Sequence, residues 1–99
     1  MCGIAGMMTL SGEPPPHATL QAMERSLVHR GPDGNGHYRS GDVGMVQTRL
    51  AIIDLVTGDQ PLYEPGGAAL VANGEIYNYL ELRDELGAGV CATASDCEL

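Results

Sequence analysis

The sequence predicts a small α+β domain with a mostly antiparallel sheet, because short apolar runs typical of strands alternate with segments of helical spacing. The chain has 99 residues, which is enough for one small domain. Its hydrophobic fraction of 43% against 18% charged residues is typical of a globular protein. The sequence has no Phe or Trp and only 4 Tyr, so aliphatic side chains and 5 Met must fill the core.

The first third of the chain predicts a strand, a helix and a loop. Gly3 to Leu10 is an apolar run closed by a triple proline, which predicts a buried first strand. Leucine and methionine then recur at helical spacing, which predicts a helix from about Ala18 to Val28. His29 to Gly36 is rich in glycine and contains a proline, so we expect a loop there.

The middle of the chain predicts further short strands separated by turns. Alternating apolar residues bounded by glycine and aspartate are the signal for each of them. We expect these strands at about His37–Arg39, Val43–Gln47 and Leu50–Leu55, with turns at Gly41-Asp42 and Gly58-Asp59.

The last third predicts one more strand and one more helix. The strand is expected at Ala68 to Ala72, and the helix at Tyr77 to Leu86, closed by Gly87. Ser95 is a typical helix N-cap, followed in Asp96 to Leu99 by the first turn of a helix. We therefore expect residues 1–99 to be a domain truncated at its C-terminal end.

Charge and cysteine content narrow the classes of partner. Thirteen acidic residues oppose 5 basic ones, for a net charge of -8, which argues against nucleic acid and anionic membranes as partners. No apolar run approaches the roughly 20 residues of a membrane span, and the start lacks a secretory signal, so we expect a cytoplasmic protein. Cys2, Cys91 and Cys97 lack the spacing of a disulfide framework or a metal site, so free thiols and no metal are expected.

Cys2 is the residue that most suggests chemistry. If Met1 is removed, one residue carries both a thiol and a free α-amine, whose reference pKa is about 7.7–8.0. Such an amine can take the thiol proton and later return a proton to a leaving amine. The alternative is a small buried residue at the start of a strand.

Two further segments have a structural and a chemical interpretation. Asn73-Gly74 is either a hairpin turn or a pair of neutral donors, one side-chain NH₂ and one backbone N–H, suited to an oxyanion. Arg49 is either a surface ion-pair partner of Asp54 or Asp59, or a guanidinium that binds a carboxylate through two hydrogen bonds.

The same ambiguity holds for two acidic positions. Asp96 either caps a helix or holds a substrate ammonium group. The segment from Arg30 to Gly34, which includes Asp33, is either a plain turn or a support for the site. The residues alone leave both alternatives open.

Each motif is weak alone, but their order along the chain is specific. Together they resemble the glutaminase domain of glutamine-hydrolysing asparagine synthetases, a class II glutamine amidotransferase domain. The sugar-phosphate and purine branches of that class are less similar. The segments that carry the resemblance are Met1 to Gly6, His29 to Gly34, Arg49 to Leu55, Asn73 to Asn78 and Ser95 to Glu98.

The resemblance implies the N-terminal nucleophile (Ntn) hydrolase fold, an αββα sandwich of two antiparallel sheets between helices, with about its first half in this chain. It implies that Cys2 is the nucleophile and N-terminal base, and that Asn73 and Gly74 form the oxyanion hole. The implied glutamine-binding residues are Arg49 for the α-carboxylate, the backbone of Leu50, Ala51, Ile52 and Ile53, and Glu75 and Asp96 for the amino-acid head, with Asp96 facing the α-ammonium.

The resemblance also implies a reaction and its partners. Glutamine is hydrolysed to glutamate and ammonia, and a C-terminal synthetase domain uses the ammonia to convert aspartate and ATP to asparagine. That domain needs ATP and Mg²⁺, whereas no cofactor is expected in this chain. The alternatives are a related amidotransferase with another acceptor, or a non-catalytic fragment or regulatory module.

Overall fold

The computed structural model describes residues 1–52 and 56–99. Within them the chain forms strands and helices in an α+β arrangement, which confirms the predicted fold class. The strands are β1 (Gly3–Met8), β2 (Gly34–Ser40), β3 (Val43–Arg49), β4 (Leu62–Tyr63) and β5 (Ala69–Leu70). The helices are α1 (His17–Leu27) and α2 (Tyr79–Leu86), with 3₁₀ turns at Val28–Arg30 and Asp96–Glu98.

The main sheet has three strands in the order β1-β3-β2, with β3 in the centre. Both pairings are antiparallel, as predicted, and the register pairs Gly3 with Thr48 and Gly34 with Arg49. The strands β4 and β5 form a separate antiparallel ribbon. The ring of Tyr63 in this ribbon packs against Tyr38 of β2, with ring centroids 6.4 Å apart.

One face of the main sheet is covered by α1. Leu20 of this helix is 1% exposed and packs against β3, where Gly44 leaves room for it. The Thr48 hydroxyl donates a hydrogen bond to the Leu27 carbonyl, 3.0 Å away, which ties the end of the helix to the sheet. Val46 of β3 is fully buried beneath the helix. This layer is the apolar core of the described residues.

The first strand is not buried along its whole length, so that prediction was wrong. Its residues alternate between the face beneath α1 and the opposite face. Ile4 and Met8, on the opposite face, are 46% and 67% exposed. The apolar run reflects two faces of different environment: α1 covers one face of β1, and Ile4 and Met8 on the other face remain exposed.

The second strand begins earlier than predicted, at Gly34, so residues 34–36 are not loop. A Cβ atom at Gly36 would overlap the backbone carbonyl of Gln60, which crosses the strand at this point. The glycine is therefore needed for a close approach of two backbones, and its presence in the sequence did not mark a break.

Other boundaries also differ from the predictions. Residues 50–52 are not in a strand, and Ile53, Asp54 and Leu55 lie outside the described residues. The turn after them is at residues 56–57, just before the predicted Gly58-Asp59. The strand β4 was not predicted, since two residues give no periodic signal. The expected strand Ala68 to Ala72 is reduced to β5, and α2 begins two residues late.

The ends of the second helix and of the chain follow the predicted capping. Gly87 ends α2 with a positive φ of 91°, and its N–H bonds to the Arg83 carbonyl. Ser95 caps the last turn by accepting a hydrogen bond from the Cys97 N–H. In the described part of the chain, no helix has the length and apolar character needed to cross a membrane.

Candidate active site

A pocket of about 340 Å³ opens where β1 begins and β3 ends. Loop residues 72–75 and the turn at residues 95–97 form its other walls. Ala51 is not part of the lining, and Ile53 lies outside the described residues. The predicted site residues that line the pocket are Cys2, Arg49, Leu50, Ile52, Asn73, Gly74, Glu75 and Asp96.

Cys2 is fixed by both its side chain and its backbone. Its Sγ accepts a hydrogen bond from the Leu50 N–H at 3.3 Å and lies 3.7 Å from the Leu50 carbonyl oxygen. The Arg30 Nε donates to the Cys2 carbonyl at 3.1 Å. Met1, 69% exposed, also lines the pocket, and its carbonyl carbon is bonded to the Cys2 nitrogen in a peptide bond. The sulfur thus faces the pocket while the α-amine is still acylated.

Arg49 is the last residue of β3, and its side chain is only 9% exposed. Its guanidinium donates to the Asp59 carboxylate at 2.7 Å, so the predicted ion pair with Asp59 is present. Asp59 itself is 78% exposed, and Asp54 lies outside the described residues. The guanidinium of Arg49 thus lines the pocket from a buried position and is paired with an exposed carboxylate.

The residues after Arg49 are held by Asp33. The Asp33 carboxylate accepts a hydrogen bond from the Ala51 N–H at 2.8 Å, and the Asp33 N–H donates to the Arg49 carbonyl at 2.9 Å. The segment from Arg30 to Gly34 therefore supports the wall of the pocket as well as turning the chain. Of the two interpretations of this segment, the supporting role is the one that these contacts favour.

Asn73 and Gly74 lie in an irregular loop and not in a hairpin turn. Gly74 is not among the glycines with positive φ, which a hairpin turn of the Asn-Gly type requires. The preceding residue, Ala72, donates its N–H to the side-chain oxygen of Gln60 at 2.6 Å. This anchor fixes the loop immediately before the two predicted oxyanion donors.

Asp96 anchors the other end of the same loop. It is 5% exposed, and its carboxylate accepts a hydrogen bond from the Ile76 N–H at 2.6 Å. Ser95, not Asp96, is the helix cap. Arg83 of α2 holds this region by donating to the Thr93 and Ser95 carbonyls at 2.8 and 3.0 Å. Arg83 therefore connects α2 to the turn that carries Asp96.

Four pocket residues carry functional groups that the sequence did not single out: Gln47, Gln60, Tyr77 and Cys97. Gln47 lies two residues before Arg49 on the same face of β3, so strand alternation could have found it. It is 1% exposed, and among the described residues its side-chain nitrogen has no hydrogen-bond partner. Gln60 and Cys97 also line the pocket, and nothing in the local sequence indicates that they do.

The thiol of Cys97 lies beside the loop that carries Asn73 and Gly74. Its Sγ is 3.6 Å from the Gly74 carbonyl oxygen, at hydrogen-bonding distance for sulfur. Burial raises the pKa of Cys97, and the charge and hydrogen bond of Asp96, together with Cys2 and Glu75, raise it further. This thiol therefore stays protonated at neutral pH and acts as a donor.

The pocket combines complementary groups for an amino acid with a side-chain amide. It has one guanidinium, two carboxylates, neutral amide donors and two thiols. No cluster of three or more His, Cys, Asp or Glu in residues 1–52 and 56–99 is arranged to hold a metal ion. A thiol beside neutral hydrogen-bond donors is the arrangement found in thiol-dependent amide hydrolases.

The comparison with known families agrees with this class. Residues 1–99 match the family model of the glutamine amidotransferase domain, and the chain belongs to this family.

Its curated relatives include glutamine-hydrolysing asparagine synthetases. The chain is 41% identical over 103 residues to asparagine synthetase (glutamine-hydrolyzing) 2 of Bacillus subtilis (strain 168). It is 40% identical over 102 residues to the root asparagine synthetase of Pisum sativum, and 43% identical over 101 residues to that of Sandersonia aurantiaca. These matches cover 100% of the chain but only 14%, 17% and 19% of the three relatives.

Proposed function

We propose that this chain is the glutaminase part of an asparagine synthetase, and that Cys2 attacks glutamine to release ammonia. One observation carries the proposal. The Cys2 thiol, Arg49, the Asn73-Gly74 pair and Asp96 line a single pocket in a chain of the glutamine amidotransferase family. These residues come from positions far apart in the sequence, so their convergence supports a common role.

The charges of the pocket suit the two charged groups of glutamine. Arg49 binds the α-carboxylate, which replaces the exposed Asp59 carboxylate on the guanidinium. Asp96 and Glu75 hold the α-ammonium, Asp96 from a buried position that keeps its carboxylate in place. Leu50 and Ile52 line the substrate from the segment after Arg49. Glutamine is thereby held with its side-chain amide toward Cys2.

In the first half-reaction the Cys2 thiol loses its proton to its own α-amine, which is free once Met1 has been removed. The sulfur forms a bond to the δ-carbon of glutamine, and the carbonyl oxygen becomes an oxyanion that the Asn73 NH₂ and the Gly74 N–H stabilise. The C–N bond then breaks. The leaving nitrogen takes the proton from the protonated α-amine of Cys2 and departs as ammonia.

In the second half-reaction water hydrolyses the thioester. The α-amine takes a proton from the water as its oxygen bonds to the δ-carbon, and the same oxyanion donors stabilise the second tetrahedral intermediate. The C–S bond breaks, the sulfur recovers a proton, and glutamate leaves.

We further propose that residues 1–99 belong to an Ntn sandwich of two sheets between helices. The face of the main sheet opposite α1 supports this, because it carries exposed apolar residues such as Ile4 and Met8. A second sheet packed about 10 Å away would bury this face. The pocket lies on the same face, so a second sheet would also enclose it.

The acceptor of the ammonia is proposed from the relatives, which are named asparagine synthetases. In a longer protein that carries this chain, a C-terminal synthetase domain would use ATP and Mg²⁺ to activate aspartate, and the ammonia would convert it to asparagine. A related enzyme that amidates another carboxylate would use the same pocket for glutamine.

The test is Cys2→Ala in the complete gene product that contains this chain, with Cys91→Ala as a matched control outside the pocket. We expect Cys2→Ala to reduce glutamine hydrolysis by about a thousandfold or more, because the nucleophile is lost. Synthesis from added ammonia should persist, since it does not use the thiol. Equal loss of both activities in Cys2→Ala, or hydrolysis that survives it, contradicts the proposal.

A further inference from the structure

The segment Ala72 to Ile76, here the oxyanion loop, is held by few contacts. It has no regular secondary structure. Its first residue bonds to Gln60 at 2.6 Å and its last to Asp96 at 2.6 Å. Between these two anchors lie Asn73 and Gly74, the proposed oxyanion donors. Their orientation must be fixed by something within the loop or beside it.

Packing does not fix the Gly74 peptide. Gly74 is exposed, and a Cβ atom added to it would meet nothing within 4 Å. Glycine also has the greatest backbone freedom of any residue. A peptide in this position can rotate, and rotation would turn its groups away from the reacting carbonyl. Among residues 1–52 and 56–99, the Cys97 thiol makes a polar contact with Gly74, 3.6 Å from its carbonyl oxygen.

Cys97 is itself held firmly. Its N–H donates to the Ser95 hydroxyl oxygen at 3.2 Å, which closes the cap of the last turn. The Ser95 carbonyl in turn accepts a hydrogen bond from Arg83 of α2 at 3.0 Å. The thiol therefore projects from a braced turn toward a loop that lacks such bracing. Its neighbour Asp96 anchors Ile76 from the same turn.

We propose that Cys97 is a positioning residue for the oxyanion hole: its S–H donates to the Gly74 carbonyl, which fixes the Gly74–Glu75 peptide and so limits the orientations open to the neighbouring Gly74 N–H. This inference deepens the proposed glutaminase function and rests on it. Cys97 forms no bond to substrate. Its effect passes through Gly74, whose N–H stabilises the charge that develops on the substrate oxygen.

The protonation state of Cys97 suits this role. Burial and the nearby Asp96 raise the pKa of the thiol, with smaller effects from Cys2 and Glu75. The single proton of the neutral thiol can be donated to the Gly74 carbonyl or to the Asp96 carboxylate, whereas a thiolate would repel both of these groups and the oxyanion. Two thiols in one pocket thus take different parts, Cys2 as nucleophile and Cys97 as a neutral donor.

The role predicts an effect on turnover more than on substrate affinity. Arg49 and Asp96 hold the head of glutamine and do not depend on the Gly74 carbonyl. The oxyanion forms only after attack, so a misplaced Gly74 N–H lowers kcat and leaves KM nearly unchanged. Loss of a whole oxyanion donor costs about 10²–10³ in kcat, and loss of its positioning should cost less, about fivefold.

The experiment compares substitutions of Cys97 in the complete gene product, with Cys91→Ala as control. Cys97→Ala removes the donor, Cys97→Val removes it while keeping side-chain bulk, and Cys97→Ser keeps a hydroxyl donor. We expect kcat for glutamine hydrolysis to fall about fivefold in the first two and to recover to within about twofold in Cys97→Ser. KM should change by less than about twofold in all of them.

A second readout separates positioning from general structure. An aldehyde analogue of glutamine forms a tetrahedral adduct with the Cys2 sulfur and so requires the oxyanion hole, whereas glutamate does not. Cys97→Ala and Cys97→Val should weaken binding of the aldehyde about fivefold and leave glutamate binding unchanged. Equal weakening of both ligands, unchanged kcat in Cys97→Ala, or failure of Cys97→Ser to recover activity overturns the proposal.

The two proposals fail in different ways. If the unsubstituted protein hydrolyses no glutamine and does not bind the aldehyde, the glutaminase function fails and the role of Cys97 falls with it. If the unsubstituted protein does both and the Cys97 variants match it, only the role of Cys97 is wrong.

Discussion

The site residues on the main sheet and those on the later loops are held by different interactions. Cys2 and Arg49 lie at the ends of β1 and β3, where the antiparallel ladder and the packing of α1 fix the backbone. Asn73, Gly74 and Asp96 lie outside the sheets, and single side-chain hydrogen bonds hold them. The sheet thus supplies the proposed nucleophile and the guanidinium, and the loops supply the proposed oxyanion donors and an acid.

Two kinds of interaction therefore fix the positions of the residues in one pocket. A strand residue is held by a cooperative network of ladder hydrogen bonds and packing contacts. A single substitution elsewhere therefore moves it little. A loop residue depends on a few anchors, such as Gln60, Arg83 and Asp96, each of which can be removed by one substitution. Substitutions on the sheet should therefore act through the substituted group itself, and those around the loops through displaced neighbours.

The largest effect in this comparison is expected for the sheet residue Arg49. Arg49→Lys keeps the charge but cannot form two parallel hydrogen bonds to a carboxylate. We expect KM for glutamine to rise by about tenfold or more with kcat little changed, because the contact is made in the ground state as well as the transition state. Steady-state kinetics with Arg25→Lys on the exposed side of α1 as control checks this. An unchanged KM would remove Arg49 from the substrate site.

A smaller effect is expected for the loop anchor Arg83, which contacts no substrate. Arg83→Met keeps most of the side-chain stem but removes the hydrogen bonds to Thr93 and Ser95. The turn that carries Asp96 and Cys97 should loosen. We expect a KM increase of about threefold to fivefold and a lower Tm, with a loss of about 1–3 kcal/mol in the free energy of unfolding.

Arg25→Met, an exposed substitution on α1, is the matched control for that experiment. It should leave KM and Tm unchanged. If Arg83→Met also leaves both unchanged, the loops are not held by single anchors, and the proposed contrast between sheet and loops is wrong.

A still smaller effect is expected for Asp59, which pairs with Arg49 from an exposed position. Glutamine must displace this carboxylate, but an exposed ion pair is worth only about 0–1 kcal/mol. Asp59→Asn should therefore lower KM for glutamine by about twofold. Steady-state KM for glutamine and a titration of glutamate binding, each at low and high salt, check this. Salt should reduce the difference between Asp59→Asn and the unsubstituted protein. A rise in KM would mean instead that Asp59 orients Arg49 for the substrate.

The smallest effect is expected for the pH dependence of stability. It arises from Glu98, which lies at the outer edge of the loops. Burial raises the pKa of Glu98, but hydrogen bonds from Thr93 and Ala92 outweigh it, and the net pKa lies below the usual value of 4.5. The carboxylate therefore stabilises the fold above that value, and this contribution is lost as the pH falls through the lowered pKa. Tm measured between about pH 5 and pH 3 should fall less steeply in Glu98→Gln than in the unsubstituted chain.

The sequence predicted the elements whose signal is local. The helix α1 was expected within one residue at each end, because its apolar spacing is regular. The closure of α2 at Gly87 and the cap at Ser95 were also expected, since each depends on a few adjacent residues. The start of β2 was not, because the role of Gly36 depends on Gln60, which approaches it from a distant part of the chain.

The same limit applies to the site. Residues with distinctive chemistry, such as Cys2, Arg49 and Asp96, could be singled out by residue type and motif. Gln60 could not, because a glutamine has no special meaning until the fold brings it beside a loop, and Cys97 was noted only as a free thiol within the Ser95 to Glu98 motif. The anchors of the oxyanion loop lie 12 and 20 residues from the groups that they hold.

The central claim is that the thiol and the α-amine of Cys2 act together, and one measurement tests it directly. The complete protein is produced with a removable N-terminal extension, and glutamine hydrolysis is measured before and after cleavage that leaves Cys2 as the first residue, with intact mass verifying each form. The account predicts hydrolysis only after cleavage, because only then is the amine free to accept the thiol proton. Equal turnover in the two forms would contradict it.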